Sequence, residues 1–254
     1  MPDPVVAALL FTAGLVAGLL NAVAGGGSFV TFPALLSMGL PPLVANGTNA
    51  VAVWPGHALA VYTNRHELQD CSRGISGSIV TALSGGAAGA FLLGYVGNER
   101  FHTLIPYLIL FATALFAFGP KINQKLASRP RGIEHARSTF VVRSGEFALA
   151  LYGGFFGAGL GILLMAGLQM LGDEDIQTCN SLKNLLATVI GTVSVAVLFM
   201  SGWVSLSHAV WPFTGAVMGG VLGAKVARRL SAPWLRRVVV VVGLALFVYY
   251  FQQA

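Results

Sequence analysis

The chain has 254 residues, of which 56% are hydrophobic and only 9% charged, with a net charge of +6. A soluble domain carries about 25% charged residues, so the composition excludes an ordinary soluble enzyme or binding module and leaves no room for a soluble domain of any size. Apolar runs near the length needed to cross a hydrocarbon core about 30 Å thick recur from end to end, and the chain reads as an all-α, polytopic helical membrane protein.

The first expected helix, 5–23, runs into AGGGSFVTFP at 24–33. Three glycines and a proline weaken a continuous helix there. A short apolar piece, 28–40, follows; at 1.5 Å per residue it reaches about 20 Å, too little to span alone as a regular helix. Long helices are then expected over 43–63, 75–97, 102–119 and 141–158. A second short piece, 161–171, precedes further long helices over 176–200, 207–227 and 236–252. Each short piece follows a glycine cluster, Gly25-Gly26-Gly27 in one case and Gly157, Gly159 and Gly161 in the other. Both read as half-helices of broken spans.

An offset of 134 residues pairs Gly25 with Gly159, Gly27 with Gly161 and Asn46 with Asn180, and carries the GGxxGA at Gly85 onto the GGxxGA at Gly219. The expected organisation is a first transmembrane repeat at 1–119, a basic cytoplasmic linker at 120–140 and a second repeat at 141–254. Arg65 and Arg73 precede one GGxxGA helix, whereas the loop near 201–206 before the other has no Lys or Arg. With the basic cluster Lys225, Arg228, Arg229, Arg236 and Arg237, the positive-inside rule gives the halves opposite orientation. Two inverted-topology repeats with glycine-broken helices follow, with about eight to ten membrane segments; five crossings apiece would put both termini outside.

Backbone polar groups freed by a helix break cannot face lipid and must line protein or a polar cavity. The N–H groups at a half-helix N-terminus favour an anion. Gly25, Gly26 and Gly27 are therefore candidates for a substrate-site wall, with close helix packing as the alternative. Asn46, Thr48 and Asn49 form a polar cluster inside an otherwise apolar helix, and their repeat counterparts include Asn180, Ser181 and Lys183. Polar groups at this depth need partners, supplied by a small anionic substrate or, alternatively, by interhelical hydrogen bonds. Lys183 also has a bland explanation, snorkelling from just inside the acidic turn Asp173-Glu174-Asp175.

His57 lies deep in a span and is the candidate to carry a coupling proton, against a packed structural histidine. Glu146, three residues past Arg143, is explained by interfacial pairing. Cys71 and Cys179 form no CxxC, and the five histidines have no metal-ligand spacing, so neither a metal nor another cofactor is expected. The basic residues flank the membrane spans, which accounts for the positive charge without nucleic acid; the partners expected are the lipid bilayer and a small anion, and no feature sets an oligomeric state. No phosphate-binding loop appears, which argues against ATP-driven transport by this chain alone.

The stretch GLVAGLLNAVAGGGSFVTFPALLSMGLPPLVANGTNAVA resembles the N-terminal signature of the sulfite exporter TauE/SafE family: a GGG run with a following proline, here Gly25–Gly27 and Pro33, a Pro-containing turn at Pro41 and Pro42, and a helix start at Ala45-Asn46-Gly47-Thr48-Asn49. The resemblance extends over essentially the whole chain. In the second half GAGLGILLMAG lacks the family's further glycines and proline. The resemblance implies a bacterial cytoplasmic-membrane transporter, not an enzyme, that moves small sulfur-containing anions such as sulfite, sulfoacetate or related organosulfonates, in the direction of export. An integral membrane enzyme or assembly partner with a polar cavity, or an anion channel, are the alternatives. An enzyme should show ionisable pairs within its spans, and apart from His57, Glu146 and Lys183 there are almost none.

Overall fold

The structure is a computed structural model that describes the chain except positions 1, 24–25, 64, 69–73, 129–138, 172–175, 227–231 and 254. Gly25, Cys71, the acidic turn at 173–175 and the basic residues Arg73, Arg129, Arg131, Arg137, Arg228 and Arg229 thus lie outside the described residues, as do the side chains of Arg65, Lys225 and Arg236.

The described residues form nine α-helices, α1 Pro4–Val23, α2 Ser28–Ser37, α3 Pro42–Thr63, α4 Ile75–Ala127, α5 Thr139–Phe155, α6 Leu160–Leu171, α7 Ile176–Met200, α8 Leu206–Val226 and α9 Ala232–Phe251, with a single 3-10 turn at Arg65–Leu68. Segments Pro4–Asn21, Ile75–Leu126 and Gln177–Met200 are long and apolar enough to cross a membrane, and Ser28–Ser37, Leu160–Leu171 and Arg237–Phe251 are shorter apolar helices. The chain is an all-α polytopic membrane protein.

The expected helices 75–97 and 102–119 are the two parts of α4, separated by a break at Gly97, whose φ of 77° and ψ of 170° suit glycine alone. At about 1.5 Å per residue, α4 has twice the length needed for one crossing. Its kink is tied to the start of α3, because the Leu43 N–H donates to Asn98 Oδ1 at 3.0 Å. The helix also runs on to Ala127, past the expected end at 119. The sequence Lys121-Ile-Asn-Gln-Lys-Leu-Ala127 consists mostly of good helix formers, so part of the expected linker is helical.

The glycine motifs bring helices into backbone contact. A Cβ on Gly89 of α4 would run into the carbonyl of Leu151 on α5, and one on Gly219 of α8 into the carbonyl of Leu15 on α1. The contacts proceed in step along each pair: Gly85 meets Phe147 and Ala150, then Gly89 meets Leu151 and Phe155; Gly14 meets Pro212, then Gly18 meets Ala216 and Gly220. The part of α4 before Gly97 and α5 therefore run parallel, and so do α1 and α8. By contrast α3 and α7 run antiparallel, since Gly47 abuts Trp203, Thr48 Oγ1 accepts from the Ser205 N–H at 3.0 Å, and Trp54 Nε1 donates to Thr192 Oγ1 at 2.9 Å.

Two edge-to-face aromatic contacts fix the interior around the helix breaks. Phe29 of α2 meets Phe116 of α4 with ring centroids 5.7 Å apart, and Phe32 meets Phe156 at 5.3 Å. Phe32, Phe116 and Phe156 are buried. Such contacts are worth about 0.5–1.5 kcal/mol beyond area burial, and here they lock α2 against the break between α5 and α6.

Candidate functional site

An open cavity lies between α3 and α7, with about 500 Å³ of atom-free space including its mouth. On α3 it is lined by Asn46, Asn49, Ala50, Val53, Trp54 and His57, and on α7 by Ala187, Ile190, Gly191, Ser194 and Leu198. Steps of three and four residues put each set on one helix face. Ser28, the first residue of α2, and the α5–α6 break, through Gly153, Gly154, Phe156, Gly157 and Leu160, complete the wall.

The α5–α6 break is built for this position. Gly157 and Gly159 take φ of 76° and 74°, a left-handed conformation that other residues rarely adopt. The carbonyl of Tyr152 accepts from the N–H groups of Phe156 and Gly157, at 3.0 and 3.3 Å, and the Tyr152 hydroxyl donates to the Ala158 carbonyl at 2.5 Å. Asn46 Nδ2 donates to the Phe155 carbonyl at 3.1 Å, so a side chain of α3 caps an orphan carbonyl at the end of α5. The second-half glycines thus break their helix without the proline that accompanies the first break.

Asn49 performs the corresponding task for α2. Its Oδ1 accepts from the Thr31 hydroxyl, and its Nδ2 donates to Ser28 Oγ at 3.3 Å. Asn46 and Asn49, one turn apart on α3, therefore each fasten one of the two helix breaks. Both are about 3% exposed, and buried amides of this kind are retained where they are hydrogen-bonded.

Of the residues expected from sequence, Asn46, Asn49 and His57 share the cavity wall. Thr48 is buried and holds the backbone of Ser205, just before α8. Asn180, Ser181 and Lys183 stand outside the wall. Lys183 Nζ donates to Asn180 Oδ1 at 2.7 Å, and Ser181 is buried. Because α3 and α7 are antiparallel, the repeat-equivalent residues Asn46 and Asn180 face different stretches of the partner helix. Lys183 is one turn from Ala187, the first wall residue of α7, about 6 Å along the helix.

Gly26 and Gly27 are likewise outside the wall. The Gly27 N–H donates to Asn21 Oδ1 at 2.8 Å, and the Phe29 and Val30 N–H groups are taken by the carbonyls of Gly26 and Gly27. Several N–H groups at the start of α2 are thus occupied within the turn. A Cβ on Gly26 would stand 2.7 Å from Cε2 of the buried Phe116 ring. Gly26→Ala is expected to cost about 1–3 kcal/mol as overpacking, and Phe116→Leu in the same chain should recover part of it. Thermal unfolding of the single and double variants in detergent checks this; a Gly26→Ala protein as stable as the parent would contradict it.

Sequence reasoning missed Ser28, Trp54, Ser194 and Asn21. Trp54 was legible from its place on the Asn46–Asn49–His57 face. Ser194, which donates to the Ile190 carbonyl at 2.7 Å, is a buried polar residue on an apolar helix and gave the same kind of signal as the asparagines. Among the described residues no group of three or more His, Cys, Asp or Glu is placed to hold a metal, and no carboxylate stands in the cavity wall. The wall offers neutral hydrogen-bonding groups and one imidazole, which suits binding and release of a small polar solute.

The model for "Sulfite exporter TauE/SafE" matches residues 10–250. A "Probable membrane transporter protein" of Haemophilus influenzae is 29% identical over 242 residues, covering 92% of this chain and 90% of that protein. "Probable membrane transporter protein ORF9" of a Sinorhizobium species is 28% identical, covering 94% and 90%, and "Probable membrane transporter protein YfcA" of Escherichia coli is 26% identical, covering 92% and 87%. No solved structure matches significantly. The match spans every helix described above, and the chain belongs to the sulfite exporter TauE/SafE family, as a multi-pass transporter of the cytoplasmic membrane rather than an enzyme.

Proposed function

We propose that the protein is a secondary transporter that moves small sulfur-containing anions, sulfite, sulfoacetate or a related organosulfonate, out across the cytoplasmic membrane. The observation that carries this reading is the cavity between α3 and α7, bounded by two helix breaks and lined by Ser28, Asn46, Asn49 and His57 without a carboxylate. The Ser28 hydroxyl, whose oxygen accepts from Asn49, keeps its proton for a ligand. Asn49 Nδ2 keeps a second N–H. Both are donors suited to an oxyanion, and His57 in the same wall is the group we assign to proton coupling. Lys183 and Asn180 lie on α7 one to two turns before the wall residue Ala187, near enough to meet the substrate at the edge of the cavity. Counterflow in proteoliposomes with sulfite, thiosulfate, sulfoacetate and taurine tests the reading. Saturable exchange of at least one of these anions is expected, and exchange of cations or neutral solutes alone would refute it.

The two halves, 1–119 and 141–254, are proposed to be inverted repeats. Under the 134-residue offset α3 is equivalent to α7, and their antiparallel course supports the inversion. Each half's first helix packs along the fourth segment of the other half, α1 on α8 and α5 on the first part of α4. Rocking of one half against the other about such an axis is a route to alternating access. Single cysteines at Asn98 and Val204 should react with an impermeant reagent on intact cells, and those at Ala127 and Ser231 only after permeabilisation. Labelling of position 231 from outside would contradict the inverted arrangement.

A further inference from the structure

We infer that the transported anion carries a hydrogen-bond donor of its own, and that Asn46 is the residue that selects for it. This rests on the cavity of the proposed transport reading and narrows its substrate class. The orientation of the Asn46 amide is fixed by its neighbour: Nδ2 lies 3.1 Å from the Phe155 carbonyl, which can only accept, so the N–H₂ end faces α5. The other end, Oδ1, is buried with no hydrogen-bond partner, on a residue that is about 3% exposed and forms part of the cavity wall. A buried amide oxygen left without a donor is costly. The group we assign to supply one is a ligand seated against Asn46 in the cavity wall.

A second wall residue has the same polarity. Ser194 Oγ gives its proton to the Ile190 carbonyl at 2.7 Å, which leaves this residue of the cavity wall with acceptor capacity only. The donors, Ser28 Oγ–H and Asn49 Nδ2, belong to the α2 side of the wall. The cavity therefore presents donors from one side and acceptors from another. A fully deprotonated oxyanion without further polar groups meets the donors and leaves Asn46 Oδ1 desolvated and unpaired. A sulfonate bearing a hydroxyl or an ammonium, or an oxyanion that retains one proton, meets both. Asn46 Nδ2 also keeps a second N–H, so removing Asn46 costs affinity most for anions that donate.

The comparison that tests this uses two monoanions of equal charge and heavy-atom count, 2-hydroxyethanesulfonate and propane-1-sulfonate, as competitors for binding to the full-length protein in detergent. The hydroxylated anion should bind about 5- to 150-fold more tightly, the cost of one buried acceptor left unpaired. In Asn46→Leu that ratio should collapse towards unity, chiefly through loss of the hydroxylated anion. Since Asn46 also caps α5, the variant is judged only on folded protein, and the wild-type ratio stands as a test that needs no variant. Equal wild-type affinities would overturn the inference and leave the anion site standing. Discrimination that survives in folded Asn46→Leu would overturn the assignment to Asn46. Binding of neither sulfonate would overturn both the inference and the anion reading.

Discussion

Replacing Arg143 by alanine is expected to lower the unfolding free energy by about 3 kcal/mol, the low end of what is lost when one partner of a buried ion pair is removed. Arg143 on α5 donates to Glu146 Oε2 at 2.6 Å and to Ser78 Oγ on α4 at 2.5 Å, while Ser78 Oγ donates to Glu146 Oε1 at 3.0 Å. A further nitrogen of Arg143 reaches the carbonyl of Gly74, just before α4. Glu146 is only 2% exposed and Arg143 about a quarter exposed, so the carboxylate bears most of the desolvation, and the guanidinium is one of the groups that compensate it. Arg143→Met together with Glu146→Leu should be far more stable than Arg143→Ala alone, because apolar replacement of a whole buried pair is often neutral. Thermal unfolding of the purified proteins measures both. Equal loss in the single and double variants would mean that the cluster acts through packing instead of charge.

The largest effect on transport is expected from Ala50→Phe. Ala50 stands in the cavity wall between the two asparagines and Trp54, on the side of α3 that faces α7. A phenyl group there projects into space that no protein atom fills. Exchange of hydrogen sulfite or 2-hydroxyethanesulfonate should fall by about 100-fold or more, equivalent to losing more than about 2.8 kcal/mol of binding. Stability should be unchanged or raised, as is common when a cavity is filled. Leucine at the same position should give an intermediate loss. An Ala50→Phe protein that folds and exchanges anions at the parent rate would remove the substrate from this cavity.

Helix positions were largely legible because hydropathy over a span-length window is a strong signal: expected 43–63 and 176–200 compare with Pro42–Thr63 and Ile176–Met200. The short pieces were legible too, since glycine clusters mark both helix breaks. The break at Gly97 was legible as the boundary between the expected helices 75–97 and 102–119, and the positive φ of Gly97 makes it. The site was legible by residue type and only partly by location. Sequence symmetry treats Asn46 and Asn180 alike, whereas the antiparallel pairing of α3 and α7 brings Asn46 and Asn49 together with Ser194 and leaves Asn180 to Lys183. The sequence likewise contains Asn46 without indicating which end of its amide is spent on the protein. Only the position of the Phe155 carbonyl decides that. Gly26 and Gly27 pointed to a close approach, and the partners approached are Phe116 and Asn21.

The central claim is that the cavity between α3 and α7 holds the transported anion. Its most direct test places a single cysteine at Val53, in the cavity wall, in a chain with Cys71→Ser and Cys179→Ser. The rate of its modification by a small neutral thiol reagent is then followed as 2-hydroxyethanesulfonate is added, alongside counterflow of 2-hydroxyethanesulfonate in the same preparation. The account predicts saturable protection of the cysteine over the concentration range that saturates counterflow. Counterflow that saturates while the cysteine at 53 reacts at an unchanged rate would contradict it.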